Sequence, residues 1–306
     1  MNKISFVIPC YNSRDIIQKV VQEIKESNIS YEKEIILIND CSSDDTWDVI
    51  SEIAKTNQNI KAINFSKNFG QHSALMAGYR ETTGEYVVSL DDDGQTPANE
   101  TYKLLEEIEK GYDVVFASYA NKKHSVFRNI GTGINNMMCR WLIGKPKKLN
   151  ITSFFIAKKY IIDEIIKYEN PYAYIPGLVL RSTKNISSVP VEHRSREVGK
   201  SGYSFRKLIA LWVNGFTAFS IKPLRIATLF GLIVASGGFV YFIYTIIHKI
   251  LNPKTPMGWT STISIMLIIG GSILFVLGMI GEYLGRVYLS LNKEPQYVVK
   301  DKINID

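Results

Sequence analysis

The chain has 306 residues, 46% of them hydrophobic, and a net charge of +7 at neutral pH. That length holds one α/β domain plus an appendage. A basic balance without an Arg-rich tract or a basic–aromatic motif points to an anionic membrane surface and away from nucleic acid. The three cysteines, Cys10, Cys41 and Cys139, share no paired spacing, which excludes a zinc ribbon and a disulfide framework and suits a reducing compartment.

From the N-terminus, the apolar run at 4–9 is too short for a secretory signal and reads as a first strand. Segments 4–8, 34–38, 60–65, 86–90 and 114–117 are short and rich in β-branched or aromatic residues, and helical patterns at 14–27, 44–56, 72–82 and 98–110 separate them. This alternation predicts an α/β domain with a mostly parallel sheet covered on both faces. The fourth strand runs straight into Asp91-Asp92-Asp93-Gly94-Gln95. An apolar strand that ends in carboxylates places them at the crevice beyond the strand ends, where α/β proteins bind ligands. Three adjacent acids repel one another unless a cation neutralises them. Hard oxygen donors such as Asp91, Asp93 and the Gln95 carbonyl suit Mg2+ or Mn2+, which in turn holds a phosphate. Taken alone, the triplet reads equally well as a solvated acidic turn.

The second half changes solvent preference. At 204–219, Phe205, Leu208, Ile209, Trp212, Phe216 and Phe219 gather on one side of a helical pattern, as in a helix lying in a membrane interface; a core-packed helix is the alternative. Residues 226–247 carry no charge over 22 positions, about 33 Å as a helix. A polar connection at 248–260 follows, and 263–281 is again uncharged, so two transmembrane helices are expected. Lys222 and Arg225 precede the first span and Arg286, Lys293, Lys300 and Lys302 follow the second, a modest bias given Lys249 and Lys254 in the connection. The lack of a secretory signal and the large N-terminal domain favour a cytoplasmic catalytic half in an inner or plasma membrane.

Six motifs then occur in order: Val7-Ile8-Pro9-Cys10-Tyr11-Asn12; Leu37-Ile38-Asn39-Asp40-Cys41-Ser42-Ser43-Asp44-Asp45-Thr46; Asn68-Phe69-Gly70-Gln71; the acidic segment 91–95; His193-Arg194-Ser195-Arg196; and Gly199-Lys200-Ser201-Gly202-Tyr203-Ser204. With the paired spans, this set resembles the family 2 glycosyltransferases, more narrowly the polyprenyl-phosphate sugar transferases related to dolichyl-phosphate mannose synthase and bacterial bactoprenol glucosyltransferase. The resemblance implies a GT-A-type, Rossmann-like nucleotide-sugar-binding domain at 1–203, an interfacial helix at 204–225, two transmembrane helices within 226–285 and a cytoplasmic tail at 286–306. It further implies inverting transfer of one sugar from a nucleotide diphosphosugar, UDP preferred over GDP, to undecaprenyl phosphate or a similar polyprenyl phosphate. Asp40 would read the ring N–H of the base, with Pro9 and Tyr11 lining the same pocket. Asp91 and Asp93 match the DxD pair: Asp93 and Gln95 are the nearer metal contacts, and Asp91, with Asp92, lies toward the nucleotide and sugar. Mg2+ or Mn2+ would neutralise the leaving diphosphate, and Arg196, Lys200 and Ser201 would clamp that diphosphate or the acceptor phosphate. Membrane lipid is an implied partner. A homo-oligomer, a lipid-sugar flippase and a downstream glycosyltransferase stay open.

Two departures from the family pattern matter. Gly94 stands where Leu is common, which is expected to loosen the turn. Asn150 stands where relatives carry an acid, and Phe154 and Ile156 where they often carry Gly and Arg. Asn cannot be a general base, but a phosphate monoester with a second pKa near ~6 is already the nucleophile at neutral pH, so Asn150 is expected to orient it. A polysaccharide-elongating transferase acting on a sugar hydroxyl and a non-catalytic membrane scaffold are the competing readings. Gly131-Thr132-Gly133 lacks the third glycine of a dinucleotide loop. Arg140-Trp141 has Met137 where processive synthases have Gln, and His72, His124, His193 and His248 share no metal-ligand spacing.

Overall fold

The computed structural model describes residues 2–119, 140, 146, 149–171, 173–192, 194, 222–253, 258–292 and 294–305. The chain divides into two compact units, residues 1–208 with 293–306, and residues 209–292. In the first unit, β1 (Lys3–Cys10), β2 (Glu32–Asn39), β3 (Ile60–Phe65), β4 (Tyr86–Ser89) and β5 (Val114–Tyr119) alternate with α1 (Ile17–Glu26), α2 (Thr46–Lys55), α3 (Gln71–Arg80) and α4 (Thr101–Ile108). Then follow β6 (Phe155–Lys158), α5 (Lys159–Ile166), α6 (Ile175–Ser182) and β7 (Ile186–Val191); β8 (Val299–Ile303) comes from the far end of the chain.

One eight-stranded sheet has the order β7-β5-β6-β4-β1-β2-β3-β8. β1 lies parallel to both β2 and β4, and β2 to β3, whereas β6 runs antiparallel to β4 and β5 and β8 antiparallel to β3. The four central strands are apolar runs buried on both faces, so they lack the two-residue alternation of a half-exposed strand. Phe6, Ile8, Ile35, Leu37 and Val88 form the centre of the core, each worth roughly 1.5–3 kcal/mol of burial. α3 lies close against the sheet because Gly78 has no Cβ; one there would overlap the Val7 and Ile38 side chains. This close approach brings the α3 N-terminus to the carboxyl ends of β1 and β2.

In the second unit the described residues form two long helices, α7 (Lys222–Leu251) and α8 (Trp259–Leu291). Both are long and apolar enough to cross a membrane, with apolar stretches at Leu224–Leu251 and Ile268–Leu289. Their large side chains, among them Leu232, Phe239, Leu274 and Leu284, are exposed, the reverse of a buried soluble helix.

The expected tail at 286–306 needs correction. α8 continues through Leu291, and Val299–Ile303 joins the sheet beside β3 instead of forming a free terminus. Lys300 and Lys302, read from sequence only as membrane-flanking charge, sit on this exposed edge strand, where charges discourage pairing with other chains.

Candidate active site

The order of the strands reverses between β1 and β4, and both end at the same edge of the sheet. A crevice at such a reversal is where open α/β sheets bind ligands. Pro9 is tolerated inside this central strand because its missing N–H faces the β4 side, where β4 has already ended: pairing stops at Val7 opposite Ser89. Beyond it, Tyr11 is half exposed and its N–H donates to Asp92 Oδ2 at 2.9 Å, joining the loop after β1 to the acidic segment.

Asp40 follows β2 and is almost fully buried. Its Oδ1 accepts from Phe69 N–H at 2.7 Å and its Oδ2 from Gly70 N–H at 2.8 Å, at the N-terminus of α3. Burial pushes its pKa up to about 6, although those two N–H groups favour the charged form. Gly70 is required there by its φ of +88°.

Asp91 is held from two sides: Gln71 Nε2 donates to Oδ1 at 2.7 Å and Ser153 Oγ donates to Oδ2. Burial pushes Asp91 up to about 6; the Ser153 and Gln71 hydrogen bonds oppose that rise, while the charges of Asp93 and Asp92 add to it. Asp92 is also raised, chiefly by burial. Asp93 Oδ1 accepts from Gln95 N–H at 3.1 Å, closing a tight turn. Gly94 does not loosen this turn. Its φ of +67° is the left-handed conformation that favours glycine, and a Cβ there would come within 2.9 Å of Ile16 Cδ1. The Gln95 backbone carbonyl, beside its sequence reading as a metal donor, accepts from Arg194 N–H at 2.7 Å, which ties the acidic segment to the residues after β7 and leaves the oxygen a second lone pair.

On the opposite wall, Asn150 Nδ2 donates to Ser118 Oγ at 2.8 Å, at the end of β5. Tyr119 pairs with Thr96 Oγ1 at 3.0 Å. Its pKa is pushed up to about 12 by burial against the Thr96 hydrogen bond, with the charges of Asp91 and Asp93 adding to the rise. The structure thus gathers Pro9, Tyr11, Asp40, Asp91, Asp92, Asp93 and Gln95 at the carboxyl ends of β1, β2 and β4. Arg196, Lys200, Ser201, His193 and the amphipathic segment 204–219 lie outside the described residues.

Ser153 and Tyr119 had no signal in the sequence. Gln71 ends the Asn68-Phe69-Gly70-Gln71 motif, which by itself assigns it no role. Its neighbour His72 has Nδ1 buried with no partner among the described residues, its ring packs edge-on to Tyr174, and burial lowers its pKa to about 4. Among the described residues, no three His, Cys, Asp or Glu side chains converge as a preformed metal cage. Such a donor set suits an ion that takes one or two carboxylates from the protein and the rest of its shell from a diphosphate.

Comparison with known sequences decides the family. The sequence model described as "Glycosyl transferase family 2" matches residues 5–165, and that of the "GtrB C-terminal hairpin" matches 222–287. The chain belongs to glycosyl transferase family 2. This glycosyltransferase is 30% identical over 305 residues to the undecaprenyl-phosphate 4-deoxy-4-formamido-L-arabinose transferase of Klebsiella pneumoniae strain 342, covering 98% of this chain and 93% of that one. The enzyme of the same name from strain ATCC 700721 / MGH 78578 matches equally. Among solved structures, glucosyl-3-phosphoglycerate synthase from Mycobacterium tuberculosis with phosphoglyceric acid superposes at a TM-score of 0.51 and 16% identity, over 70% of this chain and 80% of that one. The same enzyme with Mn2+, UDP-glucose and phosphoglyceric acid gives 0.50, over 70% and 79%. At that identity the likeness establishes the GT-A-like fold of the transferase, consistent with the expected fold class.

Proposed function

We propose that this glycosyltransferase moves a single sugar from a nucleotide diphosphosugar, with UDP the preferred nucleotide, to undecaprenyl phosphate or a similar polyprenyl phosphate. The observation that carries this reading is a carboxylate-lined crevice at the β1–β4 reversal, on a chain that continues into two membrane-length helices and resembles an undecaprenyl-phosphate sugar transferase over 98% of its length. An acceptor-phosphate oxygen attacks the anomeric carbon from the face opposite the diphosphate. The bond from that carbon to the diphosphate oxygen breaks, and the nucleoside diphosphate leaves with the electron pair. The products are a sugar-phosphoryl lipid of inverted configuration and the free nucleotide.

In this reading Asp40 takes the base, with Pro9 and Tyr11 beside it, and Asp92 holds the Tyr11 loop in place. Asp91, Asp93 and Gln95 would hold Mg2+ or Mn2+, which when bound neutralises the charge on the departing diphosphate. The fit rests on the carboxylate cluster itself, in which burial disfavours the negative charge that a cation would stabilise. Arg196, Lys200 and Ser201 would meet diphosphate or acceptor phosphate, as the family resemblance implies. Asn150 would orient the acceptor, which is already dianionic above pH ~6 and needs no base.

Membrane topology follows the same reading. The catalytic unit would face the cytoplasm of an inner or plasma membrane, and the carrier lipid would pass to a flippase and a downstream transferase; self-association is a further proposal. Incubation with a panel of nucleotide sugars and a short-chain polyprenyl phosphate, followed by mass spectrometry, should give a lipid carrying one hexose-sized unit. A growing polymer, or no lipid product from any donor, overturns the proposal. In a cysteine-free background, a cysteine at 255 should label from outside cells and one at 13 should not; the reverse pattern inverts the topology.

A further inference from the structure

We infer that Asp301, on the last strand of the chain, is a positioning residue for the donor-nucleotide pocket, acting through a relay of four hydrogen-bonded residues. The inference rests on the donor-site reading above. Four links run in one direction. Asn12 N–H donates to Ser42 Oγ at 3.0 Å, and Ser42 Oγ–H donates to Asn39 Oδ1 at 2.5 Å. Asn39 Nδ2 then donates to Asn64 Oδ1 at 2.8 Å, and Asn64 Nδ2 donates to Asp301 Oδ2 at 2.8 Å. Every donor points the same way, and the chain of bonds ends on a carboxylate. Such chains polarise cooperatively, and an anionic terminus strengthens them.

The relay is buried where it crosses the sheet: Asn39 and Asn64 are 2% and 6% exposed. Two amides in a strand core cost stability unless each is satisfied, and here each fixes the flip of the next. Asn64 would lose its acceptor without Asp301, which stands directly opposite it in the β3–β8 pairing. At the other end, Asn12 has a φ of +53°, and its Oδ1 accepts from Ser43 N–H at 2.9 Å, tying together the loops after β1 and β2. Those loops carry Tyr11 and Asp40. Cys41, between Asp40 and Ser42, is the other non-glycine residue of this pocket with a φ of +53°. Two left-handed residues in adjacent loops persist only where their surroundings over-determine them.

β8 is also anchored independently of the relay. Asn304 Nδ2 donates to the carbonyls of Ala54, Asn57 and Ile60 at 2.7, 3.2 and 2.7 Å, and Tyr297 stacks on Phe65 with centroids 5.2 Å apart. Loss of the Asp301 link can therefore be separated from loss of the strand.

The test uses the full chain in detergent and compares Asp301→Ala, Asp301→Asn and Asn304→Ala. UDP and GDP affinities are measured by calorimetry in Mn2+, and amide exchange is followed in segments 11–13 and 40–43. Asp301→Ala should weaken UDP binding about five- to tenfold and speed exchange in both segments. Asp301→Asn keeps an acceptor oxygen and should stay within about twofold of wild type. Asn304→Ala should lower the melting temperature without weakening UDP binding. The inference is overturned if Asp301→Ala binds UDP like wild type, or if Asn304→Ala weakens it equally. Wild-type protein that binds neither nucleotide would instead sink the donor-site reading; unchanged exchange at 11–13 and 40–43 in Asp301→Ala would then refute the relay by itself.

Discussion

The two ends of the central strands bury carboxylates under opposite rules. At the amino end, Glu34 is 4% exposed, and its oxygens accept from Ser5 Oγ at 2.5 Å, Thr83 N–H at 2.9 Å and Thr83 Oγ1 at 3.0 Å, with Lys61 Nζ at 2.9 Å. Burial alone would raise its pKa, but the Ser5, Thr83 and Lys61 interactions outweigh it and leave the group below its usual range. At the carboxyl end, Asp40 is buried and Asp91 half-buried, each accepts from two donors, neither is paired with a cationic side chain among the described residues, and both are pushed up to about 6. A charge that the fold fully compensates belongs to stability. One left under-compensated at a strand-end crevice is held ready for a ligand to complete.

The most severe way to break the comparison is Asp93→Ala. The residue sits on a strand-end turn outside the core, so turnover should fall at least about a hundredfold while the melting temperature stays near wild type. Excess chelator should do the same to wild-type protein. Full activity in chelator would remove the metal from the proposed site.

Glu34→Ala should show the opposite signature. It leaves the Lys61 ammonium with the Glu81 carbonyl but no carboxylate and strands three donors, at a cost of about 3–5 kcal/mol, on the order of 10 °C in melting temperature, with little change in turnover per folded molecule. The pH dependence has a definite sign. A depressed folded-state pKa contributes stability above the ordinary carboxylate value near 4.5, and that stability is lost as pH falls through the lower folded value. Thermal melts from pH 7 down to 3 should therefore show an acid-side loss in wild type that the variant lacks. Parallel curves would mean that Glu34 is not the closed partner supposed here.

These two ends also differ in how legible they were. The strand at 60–65 agrees with the structure at both bounds, because a short segment rich in β-branched and aromatic residues between turns leaves little choice. β8 was hidden: Lys300 and Lys302 read as a membrane flank, and their place on an exposed edge strand explains them instead. β7 carries Pro190, which tells against a central strand and is at home on this edge. At the site, Asp40, Asp91 and Asp93 were visible because they end apolar strands. The hold on Asp91 was not, since Gln71 and Ser153 lie 20 and 62 residues from it and meet only once the sheet forms.

A milder perturbation targets Asp40. Asp40→Ala should weaken UDP binding roughly ten- to hundredfold, the usual cost of ~1.5–3 kcal/mol for a lost charge-assisted hydrogen bond. Because the folded-state pKa is raised, Asp40 favours the folded protein most below its ordinary value near 3.8, and that contribution disappears as pH rises through about 6. Nucleotide affinity should move the other way, increasing as the carboxylate ionises across pH 5–7. Calorimetry showing the same affinity in Asp40→Ala would leave Asp40 as a cap for Phe69 and Gly70 alone.

The smallest effect is expected at Asn150, and it separates the two chemistries most cleanly. Its amide donates to Ser118 Oγ, so its Oδ1 remains the group able to meet the acceptor or a bridging water. If the acceptor phosphate is the nucleophile, the rate should rise through the second phosphate ionisation near ~6 and then flatten, with no protein base in the profile. Asn150→Ala should slow transfer about tenfold through lost orientation. Asn150→Asp reverses the Ser118 hydrogen bond, which a rotating hydroxyl accommodates, and places a carboxylate near an anionic acceptor. It should therefore change the rate by no more than about threefold, since any benefit from a base is offset by repulsion. A large acceleration in Asn150→Asp, or a wild-type profile governed by a group titrating well above pH 7, would mean that the reaction needs a proton acceptor, and a sugar hydroxyl would then replace the lipid phosphate as the acceptor of this enzyme.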